Sequence, residues 1–224
     1  MNIEITNLFD LEHTLAADYL QQFTYPWEAL AGISDFIKEL GKTLPEEEYD
    51  HPAEDVWIAK DVKFYIRETN YINGPVIIGH GTEVRPGAFF RGAVLIGNDC
   101  VIGNSTEMKN VIIFDNVQVP HYNYVGDSIL GYKSHMGAGS ITSNVKSDKQ
   151  NVVINNEGEK IETGRKKVGA MLGDRVEVGC NSVLNPGTII GRDTNIYPTS
   201  CVRGCITENS IYKERSSVVS KMSL

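Results

Sequence analysis

The sequence has 224 residues, a length that is enough for one sizeable domain with an appendage. Of its residues 41% are hydrophobic, and its net charge is −8. The acidic balance argues against nucleic acid or an anionic membrane surface as the main partner, although it leaves room for a local basic pocket. No apolar run is long enough to span a membrane and the first residues lack an apolar signal core, so we expect a cytoplasmic protein.

Residues 1–44 have the spacing of amphipathic helices. In a first segment, where Asp10 is a candidate N-cap, apolar side chains fall near one helical face at Leu8, Leu11, Leu15 and Leu20. A second helix is predicted to run to about Leu40, with Gly41 as its stop signal. An acidic linker follows. We therefore interpret residues 1–55 as a helical segment and linker that cap the domain or form an oligomer contact.

From residue 56 the hydrophobic period changes to six. Fourteen apolar residues follow this interval in two runs, namely Ile66, Ile72, Ile78, Val84, Phe90, Ile96, Ile102 and Met108, and then Leu172, Val178, Leu184, Ile190, Ile196 and Val202. Glycine often follows the apolar position, as in Ile102-Gly103, which suits tight corners between short strands. Such repeats are typical of a parallel β-helix, in which three hexads close a triangular coil of about 18 residues. We predict an all-β domain over residues 56–206 with about seven coils.

The repeat is interrupted over residues 143–168. Within this gap two β-prone runs, residues 151–154 and 160–163, flank the turn signal of residues 156–158, which predicts a β-hairpin. A long insertion in a compact repeat is usually functional or disordered. We favour an ordered arm, able to reach a neighbouring subunit, and we treat residues 207–224 as a C-terminal tail.

Motifs in a fixed order narrow the possible families further than the repeat alone. They are Arg85-Pro86-Gly87, Glu107-Met108-Lys109, His121 to Asp127, Gly137-Ala138-Gly139, Asn144 and Thr163-Gly164-Arg165-Lys166-Lys167. Over about residues 70–205 the chain resembles the left-handed β-helix acyltransferases. Within them it resembles the C-terminal acetyltransferase half of the bifunctional enzyme that makes UDP-N-acetylglucosamine, in its archaeal sugar-phosphate nucleotidyltransferase/acetyltransferase version. The resemblance implies a left-handed β-helix, a homotrimer, acetyl-CoA as donor without a metal, and glucosamine 1-phosphate as acceptor.

The resemblance also implies roles for individual residues. His121 corresponds to the base that deprotonates the sugar amine, a task that suits the ordinary histidine pKa of about 6.5. Glu107 and Asp127 are the candidate carboxylate partners of its imidazolium, and backbone N–H groups around Ala138 are expected to stabilise the oxyanion. The remaining correspondences are Arg85 and Lys109 to the sugar phosphate, Tyr124, His135 and Asn144 to the acceptor sugar, and Ala138, Cys180 and Pro198 to CoA.

Departures from the bacterial version leave the identity of the sugar open. His135 stands where asparagine is usual, Val145 where tyrosine is usual, and Cys180 replaces a serine. Galactosamine 1-phosphate or another amino-sugar phosphate is therefore an alternative acceptor. Residues 1–55 are also too short for the nucleotidyltransferase domain of the bifunctional enzymes and contain no Gly-rich nucleotide loop. We expect no synthesis of a nucleotide sugar from a nucleoside triphosphate.

Simpler interpretations compete with several of these roles. Lys109 and Asp127 lie one coil apart and are consistent with a stacked salt bridge, and residues 165–167 with a solvated charge run. The alternative function is a non-catalytic trimer that binds a sugar phosphate or a nucleotide in a regulatory or structural role.

A metalloenzyme on this architecture, as in the γ-class carbonic anhydrases, needs three histidines, two of them closely spaced. His80, His121 and His135 are too widely separated for that pattern, and Cys201 and Cys205 lack a second pair. The four cysteines are also too few and too unevenly spread for a disulfide framework, so we expect free thiols.

Overall fold

The computed structural model describes residues 1–214 and 217–220. The chain forms a left-handed parallel β-helix, as predicted, with about nine turns rather than about seven. The difference arises partly at the C-terminal end. Strand Ser210–Glu214 pairs in parallel with Asn195–Ile196, so the solenoid continues beyond residue 206 into the predicted tail. The tail's residues 215–216 and 221–224 lie outside the described residues.

The coil has three faces, which we call A, B and C in chain order. Face A contains Val56–Ala59, Val76–Ile78, Val94–Ile96, the second halves of Glu107–Ile113 and Tyr124–Leu130, Ala170–Leu172, Thr188–Ile190 and Cys205–Ile206. Face B contains Lys63–Phe64, Glu83–Val84, Val101–Asn104, Gln118–His121, His135–Met136, Glu177–Val178, Asn195–Ile196 and Ser210–Glu214. Face C contains Tyr71–Ile72, Phe89–Phe90, the first halves of Glu107–Ile113 and Tyr124–Leu130, Ile141–Thr142, Val183–Leu184 and Cys201–Val202. We name the corners A–B, B–C and C–A.

The interior contains the apolar residues of the six-residue repeat. From Ile78 to Met108 each of the six repeat residues is fully buried, and those from Leu172 to Val202 are at most 3% exposed. Each such side chain contributes about 1.5–3 kcal/mol by leaving water. The prediction fails at the first position. Ile66 is 50% exposed because the chain there enters a short 3₁₀ helix, Arg67–Thr69, instead of a strand.

Residues 1–44 cover face A. They form helices Ile5–Leu8, Ala17–Leu20, Pro26–Ala29 and Ile33–Gly41 and the 3₁₀ helix Leu11–His13, which Asp10 caps through the Glu12 N–H. The predicted continuous first helix is therefore wrong. The backbone of this segment forms hydrogen bonds with the solenoid instead. The Leu8 carbonyl accepts from the Asp174 N–H at 3.1 Å, and the Asp10 N–H donates to the Asp174 carboxylate at 2.8 Å.

The second half of this segment packs more regularly. Leu30, Ile33 and Ile37 are buried, and helix Ile33–Gly41 lies against the face A strands. The predicted acidic linker contains a strand, Tyr49–Ala53, antiparallel to Val56–Ala59. Among the described residues, no helix has both the length and the apolar character that crossing a bilayer requires.

The insertion at the C–A corner is an ordered hairpin, as predicted. Strand Val153–Asn156 pairs antiparallel with Glu159–Glu162. The arm packs on its own prism rather than projecting away, because Val152 and Ile154 are buried against Gly187 of the same corner. The amino group of Met1 donates to the Asn156 side chain at 3.0 Å, which ties the hairpin to the helical segment.

Gly103 provides a test of how tightly successive coils approach. It follows buried Ile102 in strand Val101–Asn104, and a Cβ added there would collide with the backbone of Pro120 in the next coil. We expect Gly103→Ala to lower the free energy of unfolding by about 3 kcal/mol, because backbone rather than a flexible side chain must move. Denaturant unfolding measures the effect.

Gly158 is the matched control for this substitution. A Cβ added at Gly158 in the hairpin turn meets no atom within 4 Å, although the φ of +89°, which glycine adopts freely, would strain an alanine. Gly158→Ala should therefore cost only about 1 kcal/mol. Equal losses for the two variants would show that the approach at Gly103 is not tight.

Candidate functional site

Four of the predicted site residues lie in one line along the B–C corner: His121, Ala138, Cys180 and Pro198. Each coil donates a backbone N–H to the coil before it. The bonds are Gly139 N–H to His121 O at 3.0 Å, Asn181 N–H to Ala138 O at 2.8 Å, and Thr199 N–H to Cys180 O at 2.8 Å. Because coils stack about 4.8 Å apart, this line is a straight track on which an extended ligand can lie.

His121 is held by its backbone and exposed at its side chain. It ends strand Gln118–His121, and its N–H donates to the Asn123 side-chain oxygen at 3.0 Å. The buried Asn123 amide in turn donates to Gly137 O at 2.8 Å and Ser140 O at 3.0 Å. The turn between the two coils is thereby fixed, while the His121 imidazole has no ion pair or hydrogen bond among the described residues.

Ala138 has the one uncommitted N–H in its turn. Gly137 N–H donates to Val178 O at 2.7 Å and Gly139 N–H donates to His121 O, whereas the Ala138 N–H has no acceptor in the described structure. A donor left free at a half-buried corner is suited to stabilise a developing oxyanion. The prediction of several N–H donors around Ala138 thus narrows to one.

Neither carboxylate predicted to assist His121 is engaged with it. Glu107 lies on face C and accepts from Arg91 at 2.7 Å, an ion pair that also raises the pKa of Arg91. Asp127 is buried at the C–A corner and accepts from the amides of Asn110 at 2.9 Å and Asn144 at 2.6 Å. Asp127 therefore holds the Asn110 and Asn144 side chains at the C–A corner and is not a partner of His121.

A polar cluster at the C–A corner contains two predicted substrate contacts. Asn144 donates to Asp127 and to the Tyr124 hydroxyl, the latter at 3.1 Å. Burial raises the pKa of Tyr124, although the Asn144 hydrogen bond opposes that shift. Asn110 also donates to the Leu30 carbonyl at 3.1 Å, which links the cluster to the helical segment.

Beside this cluster is a cavity of about 410 Å³ with a cationic lining. Its walls come from the helical segment and from successive C–A corners: Leu30, Ala31, Ser34, Gly74, Pro75, Arg91, Gly92, Ala93, Lys109, Asn110, Asp127 and Arg165. Lys109 has no ion pair among the described residues, and Arg165 has a buried Nε without a hydrogen-bond partner. The predicted alternative of a Lys109–Asp127 salt bridge is wrong, because amides occupy Asp127.

Arg91 is the cavity residue that sequence reasoning missed. Arg85, predicted to share a phosphate with Lys109, lies instead on the other side of the coil, where its Nε contacts Glu83 at 2.6 Å. Arg91 stands one coil of about 18 residues before Lys109, so the coil spacing could have found it. The motif Arg85-Pro86-Gly87 had instead indicated Arg85 as the phosphate contact.

His135 is separated from the other predicted acceptor contacts. It lies on face B, and its Nδ1 is 2.8 Å from the Glu177 carboxylate, whereas Tyr124 and Asn144 meet at the C–A corner. His135 and Glu177 line a groove of about 500 Å³ that continues past Cys180 to Pro198. A further cavity of about 470 Å³ adjoins Pro198 and contains Arg203 and Lys213.

Cys100 and Cys205 are not activated thiols. Burial raises the pKa of Cys100 to about 12 and that of Cys205 to about 11, so both remain thiols near neutral pH. In the described part of the chain, no three His, Cys, Asp or Glu residues are grouped as a metal site would require.

Comparison with known proteins places the chain in a family. The family model of the GMPPB C-terminal domain matches residues 72–207. A bifunctional sugar-1-phosphate nucleotidylyltransferase/acetyltransferase of Sulfurisphaera tokodaii is 32% identical over 184 residues, which are 82% of this chain and 42% of that protein. A bifunctional protein GlmU of Methanococcus maripaludis is 31% identical over an alignment of 238 positions, which covers 98% of this chain and 53% of that protein.

The chain thus spans about half the length of the curated relatives it matches. Among solved structures, PerB from Caulobacter crescentus in complex with CoA and GDP-perosamine is 17% identical, with a TM-score of 0.43 over 72% of this chain and 58% of that one. The predicted resemblance to the acetyltransferase half of the archaeal bifunctional enzymes is confirmed. The chain belongs to the family of the GMPPB C-terminal domain.

Proposed function

We propose that the protein transfers the acetyl group of acetyl-CoA to the amine of an amino sugar that bears a phosphate, with glucosamine 1-phosphate as the leading acceptor. One observation carries the proposal. The cationic cavity at the C–A corner and the His121–Ala138 line at the B–C corner lie at the two ends of face C. A cavity suited to a phosphate and a corner suited to acyl transfer therefore border the same face.

The dimensions of face C suit such an acceptor. Strand Tyr124–Leu130 begins three residues after His121 and reaches the C–A corner at Asp127. Three residues of strand span about 10 Å, comparable with a sugar ring carrying one phosphate. Lys109, Arg91 and Arg165 bind the phosphate in the cavity, and Tyr124 with Asn144 contacts the ring. The amine then approaches His121.

The donor takes the track along the B–C corner. The CoA phosphates bind near Arg203 and Lys213, the pantetheine arm passes Pro198 and Cys180, and the thioester reaches Ala138. His121 removes the proton from the attacking amine, and the free Ala138 N–H donates to the oxyanion of the tetrahedral intermediate. No metal takes part in this scheme.

We also infer a homotrimer in which neighbouring prisms meet through faces B and C. Face A is covered by residues 1–44, whereas large apolar side chains near face C remain exposed, with Tyr71 57% and Phe89 38% accessible. Tyr122, next to His121, is 66% exposed at the B–C corner. The oligomeric state measured by light scattering tests this part of the proposal.

The function is tested by release of CoA thiol from acetyl-CoA in the presence of purified protein. Glucosamine 1-phosphate, galactosamine 1-phosphate and the unphosphorylated amino sugars are compared. We expect turnover with at least one amino-sugar phosphate and little with free sugars, because the cavity is cationic. Binding of a sugar phosphate with no binding of acetyl-CoA, measured by calorimetry, would instead support the non-catalytic alternative.

A further inference from the structure

Face B contains a histidine–carboxylate pair that the reaction described above does not use. His135 and Glu177 are direct partners in adjacent strands, and His135 Nδ1 is 2.8 Å from the Glu177 Oε2. A carboxylate only accepts hydrogen bonds, so Nδ1 bears the proton. Nε2 is then the nitrogen that can gain or give a proton without breaking the pair.

This pair lies in the proposed donor groove. His135 and Glu177 line the groove of about 500 Å³ together with Gly137 and Cys180. Gly137 directly precedes Ala138, whose N–H is the free donor of the turn. The part of the groove nearest the proposed acetyl position is therefore the part that contains His135.

The two histidines flank Ala138 from different sides. His121 lies one coil before it on the B–C corner, where Gly139 N–H donates to the His121 carbonyl. His135 lies three residues before Ala138 on face B. Of these two histidines, His135 has a carboxylate partner and His121 has none in the described structure, so their side chains suit different proton transfers.

The charges around His135 are few and identifiable. Glu177 is in contact, Gln118 is its neutral neighbour in the preceding coil, and Lys133 and Arg175 line the adjoining cavity of about 390 Å³. Arg175 is already committed to Asp193 through bonds of 2.7 and 2.8 Å. Among the described residues, Glu177 is thus the one charged group bonded to the His135 ring.

We propose that His135, positioned by Glu177, is the acid that protonates the CoA sulfur as it leaves. This role rests on the proposed function. The amine nitrogen forms a bond to the thioester carbon while His121 takes its proton. The carbon–sulfur bond then breaks and His135 Nε2 gives its proton to the sulfur. The products are the amide and CoA thiol, and exchange with water returns one proton to His135 and removes one from His121.

The test is the pH profile of kcat/KM for acetyl-CoA at saturating acceptor, from about pH 6 to about pH 10. An acid must be protonated to act, so wild-type activity should fall on the alkaline side. His135→Gln should lower the maximum value of kcat/KM about 100-fold and abolish that alkaline fall. Glu177→Gln should lower kcat about tenfold and leave the KM for acetyl-CoA unchanged, as expected of a positioning residue.

His80→Gln is the matched control, because His80 also pairs with a carboxylate, Asp61, at 3.0 Å, but outside the groove. Its profile should match that of the wild type. A His135→Gln enzyme that keeps the wild-type rate, or that loses rate but keeps the alkaline fall, overturns this role while leaving the proposed function standing. A wild-type protein that releases no CoA with any amino-sugar phosphate overturns both.

Discussion

The His121→Ala variant should lose acetyl transfer by about 10²–10⁴-fold in kcat/KM, while it folds and binds acetyl-CoA like the wild type. The side chain is exposed and makes no hydrogen bond or ion pair in the described structure, so its removal leaves no buried group unpaired. The bond that the His121 N–H donates to the Asn123 side chain and the bond that the His121 carbonyl accepts from Gly139 do not depend on the imidazole. Loss of activity would therefore report lost proton transfer rather than lost structure.

The measurement combines CoA release with calorimetric titration of acetyl-CoA. His51→Ala is the control, since His51 is an exposed histidine whose ring stacks on Trp57, 5.0 Å away between centroids and outside the cavities described above. It should retain full activity. If His121→Ala did so too, His121 would not be the base.

Lys109→Ala should raise the KM for a phosphorylated acceptor by about 10- to 100-fold and leave the KM for acetyl-CoA unchanged. Lys109 lines the cationic cavity and has no ion pair among the described residues, so its charge is available to a phosphate. A hydrogen bond to a charged group is worth about 1.5–3 kcal/mol, which corresponds to that range.

The sharper part of this prediction is selectivity. Activity toward the same sugar without its phosphate, however low, should be nearly the same in Lys109→Ala and the wild type. Lys63→Ala is the matched control, because Lys63 is exposed on face B and is likewise without an ion pair in the described structure. An equal loss of activity with phosphorylated and unphosphorylated sugars would show that Lys109 supports the fold rather than the phosphate.

The solenoid was predictable because the period of six places one kind of side chain at one kind of position. Phe90, Ile96 and Ile102 are fully buried for that reason alone. The helical segment was less predictable. Its amphipathic spacing is real, but the helices are short because the solenoid binds the backbone between them. The Asp115 N–H donates to the His13 carbonyl at 3.0 Å, and the Asp174 N–H donates to the Leu8 carbonyl. Such long-range bonds leave no local signal.

The candidate site shows the same division. The line of His121, Ala138 and Cys180 follows from motif order, and Arg91 follows from the coil spacing once that spacing is applied. The pairing of His135 with Glu177 has no such signal, because the partners are 42 residues apart. The arm adds its length to the ordinary coil between them and hides their adjacency from any search by period.

The position of the arm also has a consequence for how this protein can be altered. The arm lies between strands Ile141–Thr142 and Ala170–Leu172, and the second of these remains in register with Tyr124–Leu130 of the preceding coil, with Ile129 opposite Met171. The coil closes across this long insertion, and a change in the length of an insertion adds only slowly to the entropy cost of closing it. Replacing residues 145–167 by a different insertion would therefore remove Arg165 and reshape one wall of the cavity, while strand Gln118–His121 stays as it is. On the proposed function, the preference for an acceptor can thus be altered within one short segment of sequence.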